Sequence, residues 1–126
     1  MNVLAKTGAI IVIFALASYS IAVITEQRSR RVTTMVLLFM TVGILLDVTA
    51  TGFMIMGSSK GPFTLHGFLG YSSLLGMLID TWLIWRFRLS HPADATVVPL
   101  LHLFTRVAYA WWLAAFVTGG LLVAIR

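Results

Sequence analysis

The chain contains no cysteine. That excludes disulfides, thiolate metal sites, cysteine-attached heme and iron–sulfur clusters. Charge is also scarce: only 10% of the 126 residues are charged, against 60% hydrophobic, and the mean hydropathy is +0.98. A soluble domain of this length needs a polar surface that these residues cannot make. Acids are the rarest charges, four against nine Lys and Arg, for a net charge of +5. The sequence has no nucleophile elbow, no His-Glu-x-x-His and no phosphate-binding glycine loop, so it reads as no enzyme. The basic residues form no stripe with interleaved aromatics, which argues against nucleic acid as a partner.

What remains is long apolar runs. Crossing a ~30 Å hydrocarbon core takes ~20 mostly apolar residues. Four such runs, at about 4–25, 32–56, 63–85 and 99–125, use up the chain, leaving one domain over 1–126. None shows the alternation of a barrel strand, and helices satisfy their own backbone groups in lipid. The expected fold is all-α: an integral membrane four-helix bundle with both termini on one side. The first ~22 residues also resemble a secretory signal. Because they start at Met1, they are read as the first span.

Polar segments separate the runs. Glu26 to Arg31 follows span one, Gly57-Ser58-Ser59-Lys60-Gly61-Pro62 follows span two, and Ser90 to Asp94 follows span three. Arg28, Arg30, Arg31, Arg86, Arg88 and Arg106 fall on one side; Lys6, Lys60 and Arg126 fall on the other. By the positive-inside rule, loops 26–31 and 86–98 are cytoplasmic and both termini face outward. A bacterial inner membrane is the expected location. Trp82, Trp85, Trp111 and Trp112 gather toward the same side, in part as an interfacial belt, for which Trp112 is rather deep. No internal repeat is visible, which argues against an inverted-repeat transporter.

Ionisable residues inside a membrane are costly and mark function by default. Asp47 lies at the centre of span two, on a face shared with Met40, Gly43, Thr51 and Met54. That face must look into the bundle, as a cofactor-linked carboxylate or as a packing device. Asp80 and Arg106 sit at similar depth on spans three and four and are expected to form a structural ion pair. His66 starts span three, on a face of small or polar residues with Gly70, Ser73, Met77 and Asp80. Gly70 there leaves room for a neighbouring helix or a flat cofactor. Met54 lies at the depth of His66, and a His–Met pair is an accepted axial set for heme iron. His102 opens span four at the opposite membrane face, so one heme cannot be ligated by both histidines. His91 reads as a solvated loop residue, and the other methionines as packing.

Several ordered stretches resemble the heme-sensing membrane protein (HsmA) family of small bacterial four-helix membrane proteins. They are Tyr19-Ser20-Ile21-Ala22-Val23-Ile24-Thr25-Glu26, Gly43-Ile44-Leu45-Leu46-Asp47 with Thr51 and Gly52, Phe63-Thr64-Leu65-His66-Gly67 with Gly70, and His102 with the Trp-rich segment after it. The resemblance covers nearly the whole chain. It implies heme b binding in the membrane, linked to tolerance of heme or oxidative stress. His66 and His102 are then candidate iron ligands, and Glu26 and Asp47 shared polar positions. The family often has a histidine near the place of Asp80; the aspartate here removes a partner for His102, which leaves a single site on the His66 side or no heme. Two other readings are kept: a cofactor-free accessory subunit of a larger membrane complex or homo-oligomer, and a small proton-coupled transporter. The transporter reading suffers from the lack of an acid in span one before Glu26.

Overall fold

A computed structural model describes residues 3–56, 65–92 and 94–124, with side chains except those of 5, 65, 66 and 120–124. It contains four helices: α1 (Val3–Ser29), α2 (Thr34–Met56), α3 (Leu65–Ser90) and α4 (Pro99–Ala124). All four are long and apolar enough to cross a membrane, and no strand occurs among the described residues. The expected turn at 57–62 and the start of span three at Phe63 lie outside the described residues. α1 and α3 each run a few residues further than expected, to Ser29 and Ser90, so Glu26, expected in the loop, lies within α1 and is buried. Their extra turns carry the arginines Arg28 and Arg88 toward the carbonyl ends of the helices, where cations are favourable.

Local chemistry sets the helix ends. Arg30 takes a left-handed backbone, φ 55°, just past α1, and its N–H donates to the Glu26 carbonyl at 2.6 Å. This closes the helix at a position where glycine is the usual choice. Thr33 caps α2 by accepting from the Val36 N–H at 3.3 Å. Pro99 opens α4 at the first helical position, where its missing N–H costs nothing.

Helices adjacent in sequence pack together, α1 on α2 most closely, and α4 returns to touch α1. This is the up-down-up-down bundle. α1 and α2 approach closely because of two glycines. A Cβ on Gly8 would lie 2.9 Å from the Ala50 carbonyl oxygen, and one on Gly43 would lie 2.5 and 2.7 Å from atoms of the Tyr19 ring. Gly43→Ala is therefore expected to cost ~1–3 kcal/mol by overpacking and to push Tyr19 off its partner. Detergent unfolding of the variant checks this; wild-type stability would refute the tight contact.

The loops after α1 and α3 meet at one end. The Val97 N–H donates to the Arg30 carbonyl at 2.7 Å, and Arg31 and Thr96 form an isolated antiparallel bridge. Arg88 donates to the Val32 carbonyl at 2.8 Å. The arginine-bearing loops thus lie on the same side of the bundle. The outer faces are apolar: Phe14, Leu38, Leu45, Leu75 and Trp82 are all more than half exposed. The buried set includes Glu26, Asp47, Asp80, His102 and Thr105. Polar residues inside and apolar residues outside suit lipid as the surrounding solvent, and this is a multi-pass membrane protein.

Candidate functional site: a buried carboxylate–histidine column

Each helix turns one stripe inward. On α1 it is Ala15, Tyr19, Ala22 and Glu26, all fully buried. Their spacing of four, three and four residues keeps them on one helical face. Met40, Gly43 and Asp47 make the stripe of α2, Ser73, Met77, Asp80 and Ile84 that of α3, and His102, Thr105 and Trp112 that of α4. The polar members meet in two groups.

Nearer the arginine-bearing end, His102 Nδ1 lies 2.9 Å from Glu26 Oε1. This is the ion-pair contact found among the described residues. A carboxylate only accepts, so Nδ1 carries the proton and donates. His102 Nε2 has no hydrogen-bond partner among the described residues. Gln27 braces the pair: its Nε2 donates to Glu26 Oε2 at 2.7 Å and to the His102 carbonyl at 3.0 Å. Arg106 Nε donates in turn to Gln27 Oε1 at 3.0 Å.

The expected Asp80–Arg106 ion pair is not formed. Thr105 instead donates to Asp80 Oδ1 at 2.7 Å. Successive helical residues point ~100° apart, so with Thr105 facing inward Arg106 is turned to the exposed flank of α4 and reaches Gln27. Asp80 Oδ2 is buried with no hydrogen-bond partner among the described residues.

Deeper in the bundle, Tyr19 Oη donates to Asp47 Oδ2 at 2.9 Å, and Trp112 Nε1 donates to the same oxygen at 2.8 Å. The Tyr19 and Trp112 rings meet edge-on with centroids 5.0 Å apart. The backbones of α2 and α4 stand diagonally across the bundle, so Trp112 closes the diagonal with its side chain. It is 3% exposed and belongs to the core, not to an interfacial belt. Two other tryptophans tie helices together. Trp85 donates to Thr41 at 2.9 Å, and Trp111 to Ser72 at 2.9 Å.

The remaining sequence candidates separate from this column. The side chain of His66 lies outside the described residues. Met54 lies across Gly8, on the α1 side of α2. Gly70 has open space where a Cβ would stand, with no described residue packed against that position. His91 is held to its own helix: Nδ1 lies 3.0 Å from the Phe87 carbonyl, and its ring stacks on Phe87. Tyr19, Glu26, Thr105 and Trp112 partner these groups without any sequence motif that pairs them; only the spacing of polar and aromatic residues along α1 and α4 carries a signal.

An imidazole whose Nδ1–H is held by a carboxylate and whose Nε2 is unengaged is the usual arrangement of a metal-binding histidine. A second histidine does not stand opposite His102 among the described residues, and no group of three or more His, Asp or Glu side chains there is arranged to hold a bare metal ion. The described residues therefore offer one imidazole nitrogen, His102 Nε2, as a donor to an iron. Fold and site together define a four-helix membrane protein with a carboxylate–histidine interior. No protein-family model, curated protein or solved structure matches the chain.

Proposed function

We propose that this protein binds heme b within the membrane, with His102 as axial ligand, and serves to sequester or handle heme. The single observation that supports the reading is the Glu26–His102 contact of 2.9 Å, which leaves Nε2 available. Glu26 fixes the ring and its tautomer, and Gln27 holds Glu26. Bound heme would supply a redox-active iron. The resemblance to heme-sensing membrane proteins points the same way. We further propose a bacterial inner-membrane location with the arginine-bearing loops cytoplasmic, on the asymmetry of Lys and Arg.

The test is the absorption spectrum of detergent-purified protein after hemin addition, with and without dithionite. A b-type spectrum is expected in the wild type and in His91→Ala, and its loss in His102→Ala. A spectrum lost in His66→Ala and kept in His102→Ala would move the iron to the other membrane face. A wild type that takes up no hemin would end the heme reading and leave an accessory membrane subunit as the better account.

A further inference from the structure

Outside the polar column, a groove of about 510 Å³ runs between the last turns of α3 and the first turns of α4. Leu83, Phe87, Leu101 and Phe104 form its walls, and Arg86, Ser90 and His91 its polar mouth. The mouth lies at the bundle end that carries Arg28, Arg30, Arg31 and Arg88, the level at which lipid headgroups meet water.

Charge decides what suits this groove. The Arg86 guanidinium makes no ion pair among the described residues; it lies over the Trp82 ring, 5.3 Å from the centroid. Three of the four acids, Glu26, Asp47 and Asp80, are buried in the bundle interior. The fourth, Asp94, is in the loop beyond and does not line the groove. His91 stacks on Phe87 at 4.2 Å and its Nδ1–H donates to the Phe87 carbonyl at 3.0 Å, which leaves Arg86 as the groove's donor for an anion.

We propose that this groove is a selective site for one acidic phospholipid, its phosphate at Arg86 and an acyl chain along Leu83, Phe87, Leu101 and Phe104. A basic pocket between spans at a membrane surface recognises anionic headgroups in this way. A guanidinium left unpaired by protein carboxylates offers a phosphate a forked set of donors. The apolar walls take the chain that a soluble phosphate would lack.

Native mass spectrometry of the heme-free protein, purified in equimolar phosphatidylglycerol and phosphatidylcholine, tests the site independently of the heme reading. The wild type is expected to retain one phosphatidylglycerol in preference to phosphatidylcholine. Arg86→Gln should reduce that preference by roughly five-fold, the effect of one basic side chain at an acidic membrane surface. Arg28→Gln, at the same bundle end but outside the groove, should leave it unchanged. Equal retention of the two lipids by the wild type would overturn the proposal. So would an equal loss in Arg28→Gln, which would reduce it to the general charge of that end. Retention of inorganic phosphate without lipid would overturn the part played by the apolar walls.

Discussion

Glu26→Gln is expected to weaken heme binding about 10–100-fold, the usual cost of losing the group that orients a ligating histidine. The reason lies in counting donors and acceptors. Glu26 accepts from His102 Nδ1 through one oxygen and from Gln27 Nε2 through the other. Glutamine has one oxygen and an amide that only donates. If that amide faces His102, Nδ1 must become the acceptor, the proton moves to Nε2, and the nitrogen needed for iron is blocked. If instead the oxygen faces His102, the amide opposes the Gln27 donor. A hemin titration followed at the Soret band, with a thermal melt of the same preparation, checks this. Unchanged affinity in a folded variant would remove Glu26 as a positioning residue while leaving His102 as ligand. A parallel Gln27→Ala variant should show a smaller loss, since it frees Glu26 without altering the His102 tautomer.

Asp47→Ala is expected to destabilise the bundle by about 1–3 kcal/mol. It strips the shared acceptor from two buried donors, Tyr19 Oη and Trp112 Nε1. Orphaning one buried donor costs ~1–3 kcal/mol in a soluble core. In membranes the average is nearer 0.6 kcal/mol per bond, because the unfolded helices also find partners. Two bonds to one oxygen, together with the cavity left behind, give the range. Asp47→Asn should keep more than half of the stability, since its one oxygen has lone pairs for both donors. Unfolding in mixed micelles, read by Trp fluorescence and by circular dichroism, measures both variants. An alanine variant within about 0.5 kcal/mol of the wild type would show that the Tyr19–Asp47–Trp112 contact contributes little. Such a result would also weaken the view that Trp112 holds the diagonal.

The two variants probe different halves of one column. The Glu26 change acts on the proposed heme site, and the Asp47 change on the packing that holds α2 against α4. A loss of heme binding in folded Asp47→Ala would couple the halves through Trp112 and His102, which lie ten residues apart on one face of α4.

The sequence by itself determined the fold class and the inward faces. Four apolar runs of span length dictate helices, because lipid offers backbone groups no partner. Within each run, the few polar residues must turn inward. Hence the spacing of Met40, Gly43 and Asp47 and of Ser73, Met77 and Asp80 already marked the buried stripes of α2 and α3, whereas Glu26, expected in the loop, is fully buried within α1. What one helix's periodicity cannot carry is which stripe residue meets which across the bundle. That depends on axial offset and rotation, and a single residue turns a side chain by ~100°. Depth alone paired Asp80 with Arg106, but rotation gave Asp80 to Thr105 and sent Arg106 to Gln27. The same two quantities brought Glu26 to His102 from 76 residues away and set Trp112 on Asp47 across the diagonal. They also carried Met54 onto Gly8. Partner choice was therefore decided by tertiary packing, because contact between helices is fixed by their relative placement and not by the residues of either one.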